Sequence, residues 1–277
     1  MSDSNYIRQA SWNYGGKSWK LSRSKIDLFL QCPRCFYLDN KLGVKRPSMP
    51  PFQLNKAVDH QLKQEFDVHR ANNTQHPLQQ EYGIDAKPVP HDQIDIWREN
   101  FKGVQYQDPT TGFLITGAID DLWINGQGEY IVVDYKATAK SEPVAELNRT
   151  KWHDAYRHQL EVYQWLLRKN DLPVSNTAYF VYCTGKYDQA AFDKKIEFDI
   201  KLIPYVGDDG WVEPTLLKIK KCLDDKKIPG AAADCEHCNY REAAAKVLPN
   251  KAARAVAKKP AQQQAFSIIG SRRPGKK

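Results

Sequence analysis

The feature that most constrains the fold of this chain is a pair of strand-like segments near its middle. Residues 113–124, FLITGAIDDLWI, and residues 129–138, EYIVVDYKAT, are rich in β-branched and aromatic residues. The four residues between them, NGQG, are typical of a tight turn that joins two strands. The sequence therefore predicts a β-hairpin over residues 113–138.

The second predicted strand carries a charged pair within an apolar run. Side chains two residues apart lie on the same face of a strand, so Asp134 and Lys136 should project together while Tyr135 points the other way. The preceding Val132 and Val133 indicate that both faces of the strand are covered. Because a buried charge is costly unless it is paired or bound to a metal, one interpretation of the two residues is a structural ion pair.

Two aspartates on the first predicted strand favour a metal site instead. Asp120 and Asp121 can reach the same end of the sheet as Asp134. Converging carboxylates are the ligands that Mg²⁺ prefers, and the ammonium of Lys136 could orient or deprotonate a water molecule beside them. Hydrolysis of a phosphodiester with the help of a metal needs a Lewis acid, an activated water and nearby positive charge.

Helical periodicity surrounds the predicted hairpin, and two more strand-like segments follow it. The sequence predicts helices over residues 22–38, with a break at Pro33, and over residues 54–70, 91–103, 152–169 and 211–226. It predicts further strands over residues 177–185 and 194–203. This order of elements is typical of an α/β or α+β core with a mixed sheet and an N-terminal helical portion.

The positive charge of the chain is concentrated at its C-terminal end. Residues 246–277 contain six Lys, three Arg and no acidic residue, and since the whole chain carries +8, residues 1–245 carry −1. This segment has little hydrophobic periodicity, so we expect a basic disordered tail. The tail either keeps the protein soluble or makes nonspecific contacts with phosphates.

The sequence contains no run of about 20 apolar residues of the kind that spans a membrane. Its N-terminus, MSDSNYIRQASWNYGG, lacks the apolar core of a signal peptide. We therefore expect a cytoplasmic protein that does not associate with membranes and whose thiols stay reduced.

Four cysteines form two Cys-x-x-Cys pairs about 200 residues apart. Cys32 and Cys35 lie in QCPRCFYL, and Cys235 and Cys238 lie in DCEHCNY. Four thiolates satisfy a tetrahedral zinc ion or an iron–sulfur cluster equally well in number, and spacing alone does not decide between them. Redox-active dithiols and buried structural cysteines are the alternatives.

The hairpin and its charged residues resemble the PD-(D/E)xK nuclease superfamily. In particular they resemble its RecB-like branch, which includes the exonucleases associated with CRISPR adaptation. Asp120 and the Asp-Tyr-Lys of residues 134–136 match the motif, and the Gly-x-x-Asp of that branch, here Gly117 to Asp120, favours Asp120 over Asp121.

Two further motifs of the branch have counterparts on the neighbouring helices. A Gln-x-x-x-Tyr motif on the helix after the hairpin corresponds to Gln159 and Tyr163, which share one helical face. The upstream helix of the branch usually carries Gly-x-x-Val-His, whose His is a metal ligand. This chain instead reads NKAVDHQL, with Asp59 directly after the Val and His60 one position late. Either residue suits Mg²⁺ or Mn²⁺, and the register favours Asp59.

The resemblance implies a restriction-endonuclease-like core of α/β (α+β) class, with a mixed β-sheet flanked by helices. It predicts an N-terminal arm over residues 1–20, a nuclease domain over residues 21–245 and the basic tail over residues 246–277. It also implies a Mg²⁺- or Mn²⁺-dependent deoxyribonuclease that hydrolyses the phosphodiester bonds of DNA. The implied metal ligands are Asp120 and Asp134 with Asp59 or His60, the implied activator of water is Lys136, and the implied supporting residues are Gln159 and Tyr163.

The cysteines resemble a further feature of RecB-like nucleases. In that branch a [4Fe-4S] cluster can join an N-terminal Cys in a CPxxFYL context to three C-terminal Cys. Here CPRCFYL and CEHCNYRE match the two contexts, but REAAAK offers alanines where the third C-terminal Cys is expected. The resemblance thus implies two cysteines from each end, which would staple the ends of the domain through either a cluster or Zn²⁺.

Two alternatives to an independent nuclease stay open at this point. One is a noncatalytic nucleic-acid-binding module held together by Zn²⁺. The other is a subunit of a recombination or CRISPR adaptation complex that needs a protein partner. The intact set of Asp120, Asp134 and Lys136 favours an enzyme, because a purely binding fold has little reason to bury those charges.

Overall fold

A computed structural model describes residues 6–47 and 52–248 of the chain, which form two mixed β-sheets with helices around them. The described strands are β1 (Leu21–Ser22), β2 (Ala86–Pro88), β3 (Val104–Gln107), β4 (Leu114–Gly117), β5 (Asp121–Asn125), β6 (Tyr130–Ala139), β7 (Thr177–Gly185) and β8 (Phe198–Val206). The described helices are α1 (Arg23–Gln31), α2 (Pro33–Asn40), α3 (Gln53–Asn72), α4 (Pro77–Glu81), α5 (Ile94–Trp97), α6 (Lys151–Arg168), α7 (Val212–Asp224) and α8 (Glu236–Val247). The predicted fold class is confirmed.

The larger sheet has five strands in the spatial order β2-β5-β6-β7-β8. β6 and β7 are parallel, and the other neighbouring pairs are antiparallel. β5 and β6 form the predicted hairpin, with Leu122 opposite Val132. In its turn, the side-chain oxygen of Asn125 accepts hydrogen bonds from the backbone N–H groups of Gln127 and Glu129, which explains the Asn at the start of NGQG.

The first strand of the predicted hairpin is not one strand, which corrects the prediction for residues 113–124. β4 lies in a separate three-stranded sheet of order β1-β4-β3, whereas β5 lies in the five-stranded sheet. Between them the chain leaves both sheets, and the N–H of Ile119 donates to the carbonyl oxygen of Trp97. The Ile119 side chain is buried in the core. A short connection that buries its own apolar residue is indistinguishable from a strand in the sequence.

Most predicted helices lie where they were expected, and one is much shorter. The chain breaks at Cys32 between α1 and α2, because Pro33 begins the second helix. The helix predicted over residues 91–103 is confined to α5. The carbonyl oxygens of Ile96 and Trp97 accept from Gly103 and Ile119, so the chain turns away instead of continuing the helix.

The five-stranded sheet is covered on both faces. On one face, Leu62 and Phe66 of α3 pack with Val133 and Tyr135 of β6. On the other face, α1, α6 and α7 pack over the side of β6 that carries Val132. Val132 and Val133 are both fully buried, as their position in an apolar run predicts. Asp134 and Lys136 follow Val132 on the face toward α6.

By its internal contacts the chain divides into two compact units, residues 1–232 and residues 233–277. The first unit contains the strands and α1–α7, and the second contains α8. Residues 1–5 of the predicted arm and residues 249–277 of the predicted tail lie outside the described residues. Within the described ranges, no helix is both long enough and apolar enough to cross a membrane.

Candidate active site

Two charged side chains of β6 form the centre of the candidate site. Asp134 is fully buried, and 14% of the Lys136 side chain is exposed. The Oδ1 atom of Asp134 accepts a 2.6 Å hydrogen bond from Nε2 of Gln159, and its Oδ2 atom forms an ion pair with Lys136. The Lys136 ammonium also lies 4.6 Å from the centre of the Tyr156 ring. Both charged groups therefore face α6, as the alternation along the strand predicts.

Asp120 lies next to this pair although it belongs to neither sheet. It falls in the connection between β4 and β5. Its Oδ2 atom accepts a 3.0 Å hydrogen bond from the backbone N–H of Tyr135, and Arg98 Nε donates a 3.0 Å hydrogen bond to its carbonyl oxygen. These two bonds hold Asp120 against the strand that carries Asp134.

The neighbouring Asp121 has a different environment, because it is fully buried among cations of the protein itself. Its Oδ1 atom accepts hydrogen bonds from Arg70 and, at 2.8 Å, from Arg98. Its Oδ2 atom accepts a 2.6 Å hydrogen bond from the hydroxyl of Tyr135, which packs against α3 on the other face of the sheet. Both oxygens of Asp121 are thus occupied, which leaves Asp120 as the aspartate that faces the candidate site.

The two motif residues of α6 contact the centre directly. Gln159 Nε2 donates to Asp134 and also, at 3.1 Å, to the hydroxyl of Tyr163, while its Oε1 atom accepts from Lys136 at 3.4 Å. The glycine at position 117 makes room for this arrangement, because a Cβ atom there would lie 2.7 Å from Cε1 of Tyr163. Gly117 therefore has a packing role in addition to its place in the motif.

The structure also places the two candidates of the upstream helix. Lys63, one turn after Asp59 on α3, bridges the carboxylates of Asp59 and Asp120. Its Nζ atom lies 2.9 Å from Oδ2 of Asp59 and 3.2 Å from Oδ1 of Asp120. His60 is exposed to solvent on the same helix. Of the two candidates, Asp59 is the one that contacts Lys63, which also contacts Asp120.

The sequence did not indicate three residues of the site. Lys63 follows Asp59 by four positions, so helical spacing could have suggested it. Tyr156 precedes Gln159 by three positions on α6, so helical spacing could have suggested it as well. Arg23 at the start of α1 gave no sequence signal. Arg23 adds a positive charge beside Tyr163 and Asp134, which raise its pKa although burial opposes them.

The charges of the site act on one another strongly. Burial raises the pKa of Asp134 to about 7, and although Lys136 opposes this, the negative charge of Asp120 adds to it. In contrast, Lys63 and Lys136 overcome the effect of burial at Asp120 and lower its pKa. Burial also opposes the ammonium of Lys136, but the two aspartates outweigh it and raise the pKa of Lys136. The site thus contains two unequal carboxylates and a protonated lysine.

The donor set fits a hard divalent cation. Asp134 Oδ2 is buried and forms an ion pair with Lys136 but no hydrogen bond, and the Asp120 carboxylate lies close enough to act on the pKa of Asp134. A buried carboxylate oxygen without a hydrogen-bond donor is costly unless a cation compensates it. Asp120 and Asp59 supply further carboxylate oxygens, the ligands that Mg²⁺ and Mn²⁺ prefer. Asp120 and Asp134 could hold such an ion, whereas the Lys63 ammonium separates Asp59 from Asp120.

The four motif cysteines could hold a metal of a different kind. Cys32 and Cys35 are buried in the first unit, and Cys235 and Cys238 are buried in the second. None of them forms a disulfide. Four thiolates are suited to zinc or to an iron–sulfur cluster.

Comparison with known proteins gives one informative match. A family model described as the PD-(D/E)XK nuclease superfamily matches residues 60–243. Ten chains of solved structures are similar to this one. Among them, the crystal structure of SSO0001 shares 14% sequence identity at a TM-score of 0.40, with 88% of each chain covered. That degree of similarity supports no inference about the site. No curated protein sequence is significantly similar to the chain.

Proposed function

Because the chain belongs to the PD-(D/E)XK nuclease superfamily, we propose that it is a metal-dependent deoxyribonuclease of the RecB-like branch. Membership of the superfamily implies a nucleic acid substrate. The observation that carries the proposal is the position of Asp120 beside the buried pair of Asp134 and Lys136, with Gln159 in contact with both members of that pair. The proposed nuclease domain covers residues 21–245.

In the proposed reaction, water attacks a phosphodiester bond of DNA. Asp120 and Asp134, with Asp59 as a third ligand, would hold Mg²⁺ or Mn²⁺, which supplies a Lewis acid for the phosphoryl oxygen and for the water. The raised pKa of Lys136 keeps a proton on Nζ. Lys136 is therefore suited to orient the attacking water and to stabilise the negative charge that develops on the phosphate.

The residues of α6 would position these groups. One hydrogen bond from Gln159 directs Oδ1 of Asp134, and a second contact restrains the ammonium of Lys136. Tyr163 in turn binds the Gln159 amide, so that a single helical face fixes both charged groups. Gln159 and Tyr163 are therefore proposed as supporting residues, and preorganisation of the site is their contribution.

A cleavage assay tests the proposal directly. We expect the purified protein to cleave end-labelled single- or double-stranded DNA with Mn²⁺ or Mg²⁺ and to be inactive in EDTA, since the carboxylates need the cation. The Asp120→Asn variant should be inactive in every condition. If the wild type binds DNA but never cleaves it, the noncatalytic binding module becomes the better function. Cleavage only after addition of a partner protein would instead indicate a subunit of a complex.

A comparison of the variants Asp59→Ala and His60→Ala tests which of the two residues of α3 belongs to the site. Only Asp59 contacts the bridging Lys63, while His60 is exposed. We therefore expect the Asp59 variant to need more Mn²⁺ for half-maximal cleavage and the His60 variant to behave as the wild type. The reverse result would assign the ligand to His60.

We also propose that Cys32, Cys35, Cys235 and Cys238 bind one structural metal centre, either a [4Fe-4S] cluster or Zn²⁺. Their burial and the Cys-x-x-Cys spacing of each pair support thiolate ligands, and the resemblance to the RecB-like branch supports a shared centre. Because metal–thiolate bonds contribute to folding free energy, the centre would stabilise the protein rather than take part in hydrolysis.

Elemental analysis of anaerobically purified protein should detect one of these metals. We expect Cys238→Ser to lose most of the bound iron or zinc and to melt at a lower temperature. Cys222→Ser is the control, because Cys222 lies in α7 outside both pairs. Wild-type protein with neither metal, or equal metal contents in the two variants, would argue against the centre.

The biological setting is proposed on the family resemblance alone. A RecB-like nuclease of this kind would act on DNA in the cytoplasm, in repair, recombination or CRISPR adaptation, with other proteins of those processes as partners. The basic residues 246–277 would add nonspecific affinity for phosphates, a prediction that concerns mostly residues outside the described ranges.

A further inference from the structure

One ammonium of the site is not explained by the family motif. Lys63 lies between two aspartates from different parts of the fold, Asp59 on α3 and Asp120 before β5. Its Nζ atom is 2.9 Å from one carboxylate and 3.2 Å from the other, so it contacts both at hydrogen-bonding distance. The position between two carboxylate oxygens is also the position that a cation bound by both would take.

The remaining charges of the site give Lys63 a specific role. Asp134 already forms an ion pair with Lys136, and although the charge of Lys136 also acts on Asp59 and Asp120, Lys63 is the lysine that contacts both of them. Without it, the two carboxylates would repel each other at close range in a partly buried site. Burial and the charge of Asp120 raise the pKa of Asp59, in agreement with a crowded pair of acids.

We propose that Lys63 is a resident counterion that occupies the cation position between Asp59 and Asp120 and must leave it when a divalent metal binds there. This inference rests on the proposed function, because it takes these aspartates as metal ligands. Lys63 thus keeps the ligands in place without metal and competes with the metal for them.

The surroundings of Lys63 allow this exchange. The side chain is 19% exposed, and the two carboxylates are 34% and 22% exposed, so the ammonium has a route to water. Lysine carries its charge on a flexible four-carbon stem and can rotate away without a change in the helix backbone. In contrast, Lys136 packs against Tyr156 and contacts Gln159, so its position is restrained.

Binding of Mn²⁺ alone, without DNA, tests the competition. We would titrate the full-length wild type and Lys63→Met with Mn²⁺ and follow free Mn²⁺ by electron paramagnetic resonance. We expect the variant to bind about tenfold more tightly, of the order of the coupling between one close pair of charges. Lys56→Met is the matched control, because it removes one exposed positive charge from the same helix without touching the site. Its affinity should equal that of the wild type.

Three further variants keep the test decisive. Lys63→Arg retains the charge and should bind Mn²⁺ about as weakly as the wild type. The double variant Lys63→Met with Asp120→Asn should not show the increase in Mn²⁺ affinity. This result would place the Mn²⁺ site between Asp59 and Asp120. Lys63→Gln replaces Lys63→Met if that protein does not fold. In EDTA the Met variant should melt below the wild type, and Mn²⁺ should raise its melting temperature by more.

The outcomes separate this inference from the proposed function. If Lys63→Met binds Mn²⁺ no more tightly than the wild type while the wild type cleaves DNA, Lys63 does not compete with the metal and the proposed nuclease function is unaffected. Weaker binding by the variant would mean that Lys63 organises the ligands instead of competing for them. If Lys63→Met binds Mn²⁺ more tightly but neither the wild type nor any variant cleaves DNA, Lys63 competes with the metal and the proposed nuclease function is wrong.

Discussion

Replacement of Lys136 by Met should lower the rate of metal-dependent DNA cleavage by about two to four orders of magnitude. Met has a similar length and no charge, so it removes the ammonium beside Asp134 and leaves the packing against Tyr156 largely intact. We expect the Mn²⁺ dependence to remain, because the proposed ligands are unchanged. Single-turnover cleavage of labelled DNA measures the loss.

The control for this prediction is Lys140→Met, which removes an exposed lysine just beyond β6. Its cleavage rate should match that of the wild type. If the Lys136 variant is folded and cleaves within about threefold of the wild-type rate, the lysine does not act in the reaction. Asp134 and Lys136 would then be a structural ion pair, which is the simpler interpretation of the two residues.

Replacement of Asp121 by Ala should lower the free energy of unfolding by about 3–5 kcal/mol, which is the usual cost of removing one partner of a buried charge pair. Asp121 is fully buried and is shared by Arg70 and Arg98, whose side chains are only 8% and 10% exposed. The change would remove the carboxylate that both guanidinium groups contact and would leave the hydroxyl of Tyr135 without its hydrogen-bond acceptor. Urea denaturation measures the difference.

Two comparisons make this prediction specific. Asp67→Ala removes another partner of the same arginines, but 42% of the Asp67 side chain is exposed, so its cost should be much smaller. Asp120→Ala should abolish cleavage and cost less stability than Asp121→Ala, because the Asp120 side chain is 22% exposed whereas Asp121 is fully buried. Equal urea midpoints for the Asp121 variant and the wild type would mean that the ion pairs do not hold this part of the sheet.

Local sequence patterns were sufficient for several parts of the site. Alternation along a strand placed Asp134 and Lys136 on one face, and the four-residue spacing placed Gln159 and Tyr163 on one face of α6. The proline after Cys32 correctly marked the break between α1 and α2. Each of these features depends on backbone geometry within a few residues, which the order of amino acids specifies directly.

Other parts were decided by contacts between distant segments. The chain around residue 119 reads as a continuous strand, but its backbone bonds to Trp97 and its side chain enters the core. The short α5 ends where the carbonyl oxygens of Ile96 and Trp97 accept hydrogen bonds from Gly103 and Ile119, which lie beyond the helix. Periodicity contains no information on such partners, so neither the split of the predicted strand nor the end of the helix was predictable.

The adjacent residues Asp120 and Asp121 show most clearly what depends on the local sequence and what depends on distant contacts. The sequence alone determined that a pair of acids, Asp120 and Asp121, lies one strand away from Asp134 and Lys136. Only the tertiary structure decided their environments, because Arg70 and Arg98 occupy one of them and Lys63 lies beside the other. Asp120 lies in the connection before β5 and Asp121 begins that strand, and the charged groups that surround each of them come from distant elements that only folding brings there.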